Sequence, residues 1–290
     1  MNGIIQLKNV SYRYPVGEDW ALRNVSIDIQ RGELVSIVGN NSSGKTTLCN
    51  LIRGFIPHFY KGEVEGSVEV DGQSVEDYQL GQLGARIGYV FQNPFIQISG
   101  VKETVFDEVA FGLENLGVPV EEIIPRVEEM LKLVKIENLR EKNPFELSGG
   151  QRQRVAIAAI IVMDPDILVF DEPSSQLDPI GTEQVFDIIR LMKERGKTIV
   201  LVEHKMDLVA EHSDRLIVLD KGTIVMDGPV REVLEAPLYR SFNIQYPHVT
   251  EVALELQEAG VELRFLPIRA DELPLCLGAV ERKVNPDDNN

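Results

Sequence analysis

The chain has 290 residues, of which 43% are hydrophobic and 26% are charged, enough to bury one large α/β core and leave a small appendage. Its 29 basic and 46 acidic residues give a formal net charge of −17. Binding to nucleic acid or to anionic lipid needs clustered Lys and Arg, so this balance argues against both kinds of partner.

Cysteine usage and hydropathy argue against a disulfide-rich protein and against a membrane-spanning or exported one. Cys49 and Cys276 lack metal-ligand spacing, and two cysteines in a chain of this size indicate reduced thiols rather than a disulfide framework. No window of membrane-spanning length is free of charges, and the N-terminus lacks an export pattern. We therefore expect the chain to stay in the cytoplasm.

The predicted elements suggest a layered α/β fold. Residues 4–30 and 67–70 are predicted to supply an antiparallel β layer. Residues 33–54 and 166–220 alternate strand and helix, as in a parallel sheet covered by helices on both faces. The region between them, about 101–163, is predicted to be helical, and its segment 120–131 reads as a solvated amphipathic helix.

A glycine-rich loop connects the apolar strand 33–38 to a predicted helix. The loop is Gly39-Asn40-Asn41-Ser42-Ser43-Gly44-Lys45-Thr46. Its glycines let backbone N–H groups point inward, and the helix start adds partial positive charge, so anionic phosphate is the natural guest. We expect Lys45 to reach the outer phosphates of ATP and Thr46 to ligate Mg²⁺. The alternative is a plain strand-to-helix turn, which the correct flanks on both sides disfavour.

A second anion site is predicted at residues 147–151, Leu-Ser-Gly-Gly-Gln, which open the helix 152–161. Ser148 is a good N-cap, and Gly149 and Gly150 leave backbone N–H groups uncovered at a helix start. A chain that binds one nucleotide needs only one phosphate-binding site of its own. We therefore expect this site to serve the nucleotide of a second subunit packed head to tail. A capped helix with glycines for close packing is the alternative.

Two strands are predicted to bring acid and base groups to one sheet edge. The apolar strand 166–170 ends in Asp171 and Glu172, and the strand 198–203 ends just before His204. Asp171 is expected to hold magnesium through water and Glu172 to polarise the attacking water. His204 would hydrogen-bond the γ-phosphate and hold the water in line. Taken singly, each is better read as an ordinary surface residue; together with the glycine-rich loop they favour catalysis.

Taken in order, these motifs resemble those of ABC-transporter ATPase subunits, over about residues 4–235. The resemblance implies a P-loop NTPase fold: a parallel sheet core with an antiparallel β layer and a helical subdomain. It implies that Gln92 senses magnesium and the γ-phosphate while its loop faces a membrane subunit, and that Asp178 crosses a dimer interface. Tyr14 looks like the aromatic residue that stacks on adenine, with Tyr12 as its rival and strand packing as the plain alternative. Ser42 and Ser43 depart from the loop centre often seen in this family.

Finer resemblance points to the ATPase subunits of energy-coupling factor (ECF) importers and related cobalt and nickel systems. Residues 56–63, 91–97 and 107–117 carry it, with Phe95 and Ile96 less polar than is common there. It implies a protein on the cytoplasmic face of the membrane, held by integral membrane subunits, that powers vitamin or metal-ion uptake as a homodimer or heterodimer. Another class of ABC transporter and a soluble non-transport ATPase remain alternatives. The short stretch from Gln92 to Leu147 disfavours ATPases with long coiled-coil arms.

The chain is predicted to divide into an ATPase domain, residues 1–235, and a small α/β extension, residues 236–290. The extension should contain a helix near 249–260 and a disordered end, 286–290. In similar ATPases such an extension is implied to contact the partner ATPase; packing on its own domain is an equal alternative. The expected catalytic residues are Lys45, Gln92, Glu172 and His204, and the expected magnesium ligands are Thr46, Gln92 and Asp171. The expected nucleotide-binding residues are Tyr14, Gly39, Asn40, Asn41, Ser42, Ser43, Gly44, Lys45, Thr46, Thr47, Ser148, Gly149, Gly150, Gln151 and Asp178.

Overall fold

The computed structural model describes residues 3–17 and 19–277. The predicted disorder at residues 286–290 lies outside this part of the chain. The strands in the described residues are β1 (Ile5–Arg13), β2 (Leu22–Ile29), β3 (Leu34–Val38), β4 (Glu63–Val70), β5 (Gln73–Ser74), β6 (Ile87–Val90), β7 (Ile167–Asp171), β8 (Thr198–Val202), β9 (Arg215–Asp220) and β10 (Thr223–Pro229).

The helices are named in the same way. They are α1 (Lys45–Ile52), α2 (Phe55–His58), α3 (Leu80–Arg86), α4 (Pro94–Gln97), α5 (Val105–Asn115), α6 (Val120–Leu133), α7 (Gly149–Ile161), α8 (Pro179–Glu194), α9 (Met206–His212), α10 (Val230–Glu235), α11 (His248–Glu258) and α12 (Leu273–Cys276).

The strands form the two predicted sheets. The central sheet has the order β10-β9-β3-β8-β7-β6, in which all pairs are parallel except that β10 is antiparallel to β9. Every residue of β3, β7 and β8 is buried, as expected for parallel strands covered on both faces. The second sheet, β2-β1-β4-β5, is antiparallel, and the burial of β2 roughly alternates because only one face meets the core.

Three hydrophobic clusters hold these layers together. One lies between the antiparallel sheet and one face of the central sheet, with α1. The second joins the other face to α5, α6, α7 and α8. Helix α6 turns Ile123, Val127 and Leu131 inward, which matches its amphipathic sequence. The third cluster joins α9 and α10 to the C-terminal extension.

The expected α/β character of the extension requires correction. Within residues 236–277 the structure has helices and 3₁₀ turns and no strand. The reason lies in the prolines, which lack the N–H that a sheet ladder needs and suit the first turn of a helix. Pro237 and Pro274 lie in such first turns, and Pro247 is the N-cap of α11.

Both cysteines of the chain lie in the interior of the described structure. Cys49 and Cys276 are both buried and free, and burial raises the pKa of the Cys49 thiol. In the part of the chain that the structure describes, no helix has both the length and the apolar character needed to cross a bilayer.

Candidate functional site

The glycine-rich loop forms a cradle between the C-terminal end of β3 and the start of α1. Gly39 and Gly44 have φ angles of 156° and 108°. A Cβ at Gly39 would lie 2.1 Å from the Leu219 carbonyl oxygen, and one at Gly44 would lie 2.8 Å from that of Ala21. Only glycine therefore fits at these two positions, which lets the loop pack closely against the neighbouring segments at Leu219 and Ala21.

Lys45 lies folded against this loop. Its Nζ donates hydrogen bonds to the carbonyl oxygens of Gly39, at 2.8 Å, and Asn40, at 3.1 Å. The residue is 6% exposed, and burial lowers the pKa of its ammonium, while the charges of Glu172 and Asp171 oppose that shift. An anionic ligand in the cradle would add a counter-charge in direct contact with this buried cation.

Asp171 ends β7 beside the start of α1. Its Oδ2 accepts a hydrogen bond from the Tyr89 hydroxyl at 2.7 Å. Burial raises the pKa of the carboxyl, and hydrogen bonds from Tyr89 and Thr46 partly oppose that shift. Hydroxyl and carboxylate oxygens are the donors that Mg²⁺ prefers, so Thr46 and Asp171 are a suitable pair of ligands.

Glu172 is held between two of the other predicted catalytic residues, Gln92 and His204. Its Oε2 accepts a hydrogen bond from Gln92 Nε2 at 2.6 Å, and its Oε1 lies 2.8 Å from His204 Nε2. Glu172 has a φ of 52°, in the left-handed region that disfavours residues other than glycine. Its backbone N–H donates to the Val202 carbonyl at 2.9 Å, which fixes this backbone conformation against β8. The structure thus brings Gln92, Glu172 and His204 together.

His204 is itself positioned by a buried acid. Glu203 is 2% exposed, and its Oε1 accepts hydrogen bonds from the backbone N–H groups of His204 and Lys205, at 2.8 and 3.1 Å. Its Oε2 accepts one from Ser174 Oγ at 2.7 Å. Glu203 therefore ties the turn that carries His204 to the loop that follows Glu172.

The two candidate tyrosines occupy different environments. Tyr12 is fully buried and donates its hydroxyl to the Lys61 carbonyl at 3.0 Å, so it serves strand packing. Tyr14 is only partly buried, and its hydroxyl lies 3.1 Å from Thr47 Oγ1, in the first turn of α1. Of the two, Tyr14 is placed to meet a ligand bound by the loop.

The second predicted anion site lies apart from the first. Ser148 caps α7 in a capping box with Gln151, and Gly150 lies 3.8 Å, measured from an ideal Cβ, from Gly181 at the start of α8. Asp178 caps α8 through Gly181 N at 2.7 Å. No hydrogen bond in the described residues joins Ser148–Gln151 to the glycine-rich loop. Ser148 and Gly149 are exposed, and Gly150 and Gln151 are partly exposed.

Sequence reasoning missed Tyr89, Glu203 and Arg53 as parts of this site. Arg53 is 8% exposed, and its guanidinium lies 3.6 Å from the ring centre of Phe55 and 3.8 Å from that of Tyr89. A charged residue next to the motif histidine, and a tyrosine in an otherwise apolar buried strand, were the signals available for Glu203 and Tyr89. Phe55 is close to Arg53 in sequence, but nothing local predicts the stacking of Arg53 on Tyr89 of β6.

Comparison with known proteins identifies the family. The sequence profile of the ABC transporter family matches residues 22–175. A putative ABC transporter ATP-binding protein of Pyrococcus abyssi is 44% identical over 263 residues, covering 90% of this chain and 93% of that protein. The chain belongs to the ABC transporter family. It is an ABC ATPase, an ATP-binding and ATP-hydrolysing transporter subunit, and the predicted fold class is confirmed.

Relatives with more specific names are also similar. The energy-coupling factor transporter ATP-binding protein EcfA1 of Clostridium novyi is 40% identical over 276 residues, covering 93% of this chain and 96% of that protein. The structure of CbiO1 from Clostridium perfringens, described as part of the ABC transporter complex cbiONQ, is 32% identical with a TM-score of 0.73. The structural match covers 90% of this chain and 98% of the CbiO1 chain. The predicted resemblance to ECF-type ATPases is confirmed.

One similar structure was determined as a dimer with reaction products. It is the ATP-binding cassette MJ0796 in a post-hydrolysis state, bound to ADP and phosphate. The identity is 32% and the TM-score 0.68, over 78% of this chain and 99% of that one.

Proposed function

We propose that this ABC ATPase is the energy-supplying subunit of an ECF-type importer for a vitamin or a metal ion. The observation that carries the catalytic part is the Glu172 carboxylate, held by Gln92 on one oxygen and by His204 on the other beside the glycine-rich loop. The importer class rests on similarity to relatives named as ECF transporter ATP-binding proteins.

The loop amides and Lys45 bind the phosphates of ATP, and Tyr14 stacks on its adenine. Thr46, Gln92 and Asp171 hold Mg²⁺, which when bound neutralises the charge that develops on the phosphates. Glu172 accepts a proton from the attacking water, and His204 keeps that water in line with the γ-phosphate.

A dimer completes each site. Ser148, Gly149, Gly150 and Gln151 of one subunit bind the γ-phosphate of the ATP held by the other, and Asp178 lies in the interface between them. Loss of the γ-phosphate after hydrolysis removes the anion that both subunits share, so the dimer opens. Support for this arrangement comes from the helix start, which is exposed at Ser148 and Gly149. The capping box engages the backbone N–H groups of Ser148 and Gln151, whereas those of Gly149 and Gly150 have no hydrogen-bond partner among the described residues.

The partner that receives this motion is an integral membrane subunit, which places the chain at the cytoplasmic face of the membrane. Phe95 and Ile96, in α4 just after Gln92, are 51% and 69% exposed. Exposed apolar side chains beside a catalytic residue suit a docking surface, because a bound partner would remove them from water and contact Gln92 at the same time. An acidic ATPase also matches the Lys- and Arg-rich cytoplasmic loops of membrane proteins.

Mixing two inactive variants tests the shared site. Lys45→Ala destroys the phosphate loop, and Ser148→Arg blocks the opposite helix start. In a mixed homodimer one site contains both defects and the other contains neither, so hydrolysis should return on mixing to about half of the wild-type rate per mixed dimer. Retained ATP binding by Ser148→Arg controls for its folding. Continued inactivity of the mixture, together with failure to co-purify with a second ATPase or a membrane protein, would contradict the proposal.

A further inference from the structure

The C-terminal extension, residues 236–277 of the described chain, packs against the nucleotide-binding part of its own subunit. Tyr239 is fully buried and Ile268 is 4% exposed, and both lie in a cluster that also contains Val38 and Met206. Val38 directly precedes the glycine-rich loop, and Met206 begins α9 two residues after His204. The extension therefore rests on the segments that carry the loop and the catalytic histidine.

A hydrogen bond links the loop directly to the extension. Asn40 Nδ2 donates to the Phe242 carbonyl oxygen at 2.9 Å, across 202 positions of sequence. Asn243, the next residue, has a φ of 54°, so the chain turns sharply at this contact. Since phosphate is bound by the amides of such loops, the side chain of Asn40 is available to hold the loop's rim.

The same part of the extension forms one wall of a cavity of about 470 Å³ beside the catalytic site. The loop residues Gly39, Asn40 and Asn41 form a second wall, and Glu203 and His204 contribute a third. The extension's share of the lining is Asn243, Ile244 and Gln245.

Two further contacts hold α9, the helix that follows His204. Near its start, Asp207 accepts hydrogen bonds from the backbone N–H of His248, at 2.9 Å, and from the ring Nδ1 of His248. Near its end, Arg269 Nε donates to the Ala210 carbonyl at 3.1 Å. The extension thus contacts this short helix near both of its ends.

We infer that the C-terminal extension is a positioning element for the ATPase site of its own subunit. Asn40 fixes the outer rim of the loop through Phe242, and His248 and Arg269 fix the helix that orients His204. These residues act through others and do not touch ATP by their side chains. The inference requires neither a particular cargo nor a particular membrane partner.

Amide hydrogen exchange of the full-length chain, followed by mass spectrometry, is the first test. Arg269→Ala should speed exchange within residues 206–212 by at least about three-fold, because one end of α9 is released. Arg264→Ala is the matched control, because Arg264 lies in the same extension, is exposed, and bonds the Cys276 carbonyl through its backbone N–H, which the substitution keeps. It should leave exchange in α9 unchanged.

Kinetics separate positioning from general stability. Arg269→Ala and His248→Ala should lower kcat about five-fold with little change in KM, since they disturb the orientation of His204. Asn40→Ala should instead raise KM for ATP. Uniformly faster exchange across the whole chain, with kcat per folded molecule unchanged, would reveal a merely structural role and overturn the inference.

Reciprocity gives a readout that needs no hydrolysis. If the extension positions the loop, a non-hydrolysable ATP analogue must in turn slow exchange of residues 239–248, and Asn40→Ala must remove that effect. If residues 239–248 of the wild-type chain exchange at the same rate with and without the nucleotide, the inference is also overturned. Because these measurements use the folded chain alone, they stay readable even if the importer proposal fails.

Discussion

Glu172 Oε1 lies 2.8 Å from His204 Nε2, although the two residues are 32 positions apart in the sequence. The contact arises because β7 and β8 are parallel neighbours with Asp171 opposite Val202, so the residues that follow them emerge at the same edge. With Gln92 on its other oxygen, the Glu172 carboxylate has a defined direction before any ligand binds.

Replacement of the proposed base is the first prediction. Glu172→Gln should bind ATP normally but lower kcat at least about 100-fold, because the amide cannot accept the proton from water. The closed dimer should accumulate with ATP and Mg²⁺, as measured by light scattering after size exclusion. Brisk hydrolysis by this variant would show that Glu172 is not the base.

The buried acid beside the histidine provides a stability prediction. Glu203→Ala should cost about 2–4 kcal/mol of unfolding free energy, because three donors would lose their buried acceptor. Glu203→Gln keeps an oxygen for the two backbone N–H groups and should cost clearly less. Denaturant unfolding of both variants measures this difference. Equal losses would mean that neither the retained amide oxygen nor the retained side-chain volume stabilises the turn, which would contradict the hydrogen-bonding role assigned to Oε1.

The serine at the centre of the loop offers a stabilising change. Ser42 has a φ of 63° and is exposed. This backbone conformation is strained for residues other than glycine. Ser42→Gly should therefore raise the unfolding free energy by about 0.5 kcal/mol, after the entropy that glycine adds to the unfolded chain. Calorimetry in the absence of nucleotide measures this change in unfolding free energy. A clear fall in Tm would mean that the serine makes a compensating interaction.

The proposed docking surface predicts a selective loss. Ile96→Lys should weaken association with the membrane subunit by about ten-fold or more, because it places a charge in an apolar contact. Val120→Lys is the control, since Val120 is 67% exposed, nearly as much as Ile96, but lies at the start of α6. ATP binding by the isolated chain should not change in either variant. Equal effects of the two substitutions on association would argue against this surface.

The contact between α9 and the extension predicts a pH dependence. The hydrogen bond and the charge of Asp207 raise the pKa of His248 above its unfolded value of about 6.5. A raised folded pKa means that this contact contributes its full stability below the unfolded pKa and loses it as pH rises through the folded pKa. His248→Gln should therefore flatten the stability profile just above pH 6.5. An unchanged profile would mean that the pair contributes nothing; the effect should be small, because His248 is highly exposed.

Much of this protein follows from its sequence. The apolar strands that precede Gly39, Glu172 and His204 are short, continuous runs, so their burial in a parallel sheet was predictable from composition alone. Because the C-terminal ends of such strands share one edge, the sequence predicted that Glu172 and His204 would lie at the same edge as the glycine-rich loop.

Only the tertiary structure decided which side chains hold these residues in place. Tyr89 on Asp171, Glu203 on Ser174, and Asn40 on Phe242 are contacts across 82, 29 and 202 positions, and no local pattern encodes these pairings. The extension shows this most clearly. Its prolines and helix-forming segments determine that it is helical, but its docking site depends on how buried side chains of separate elements fit together, which is a property of packing rather than of periodicity.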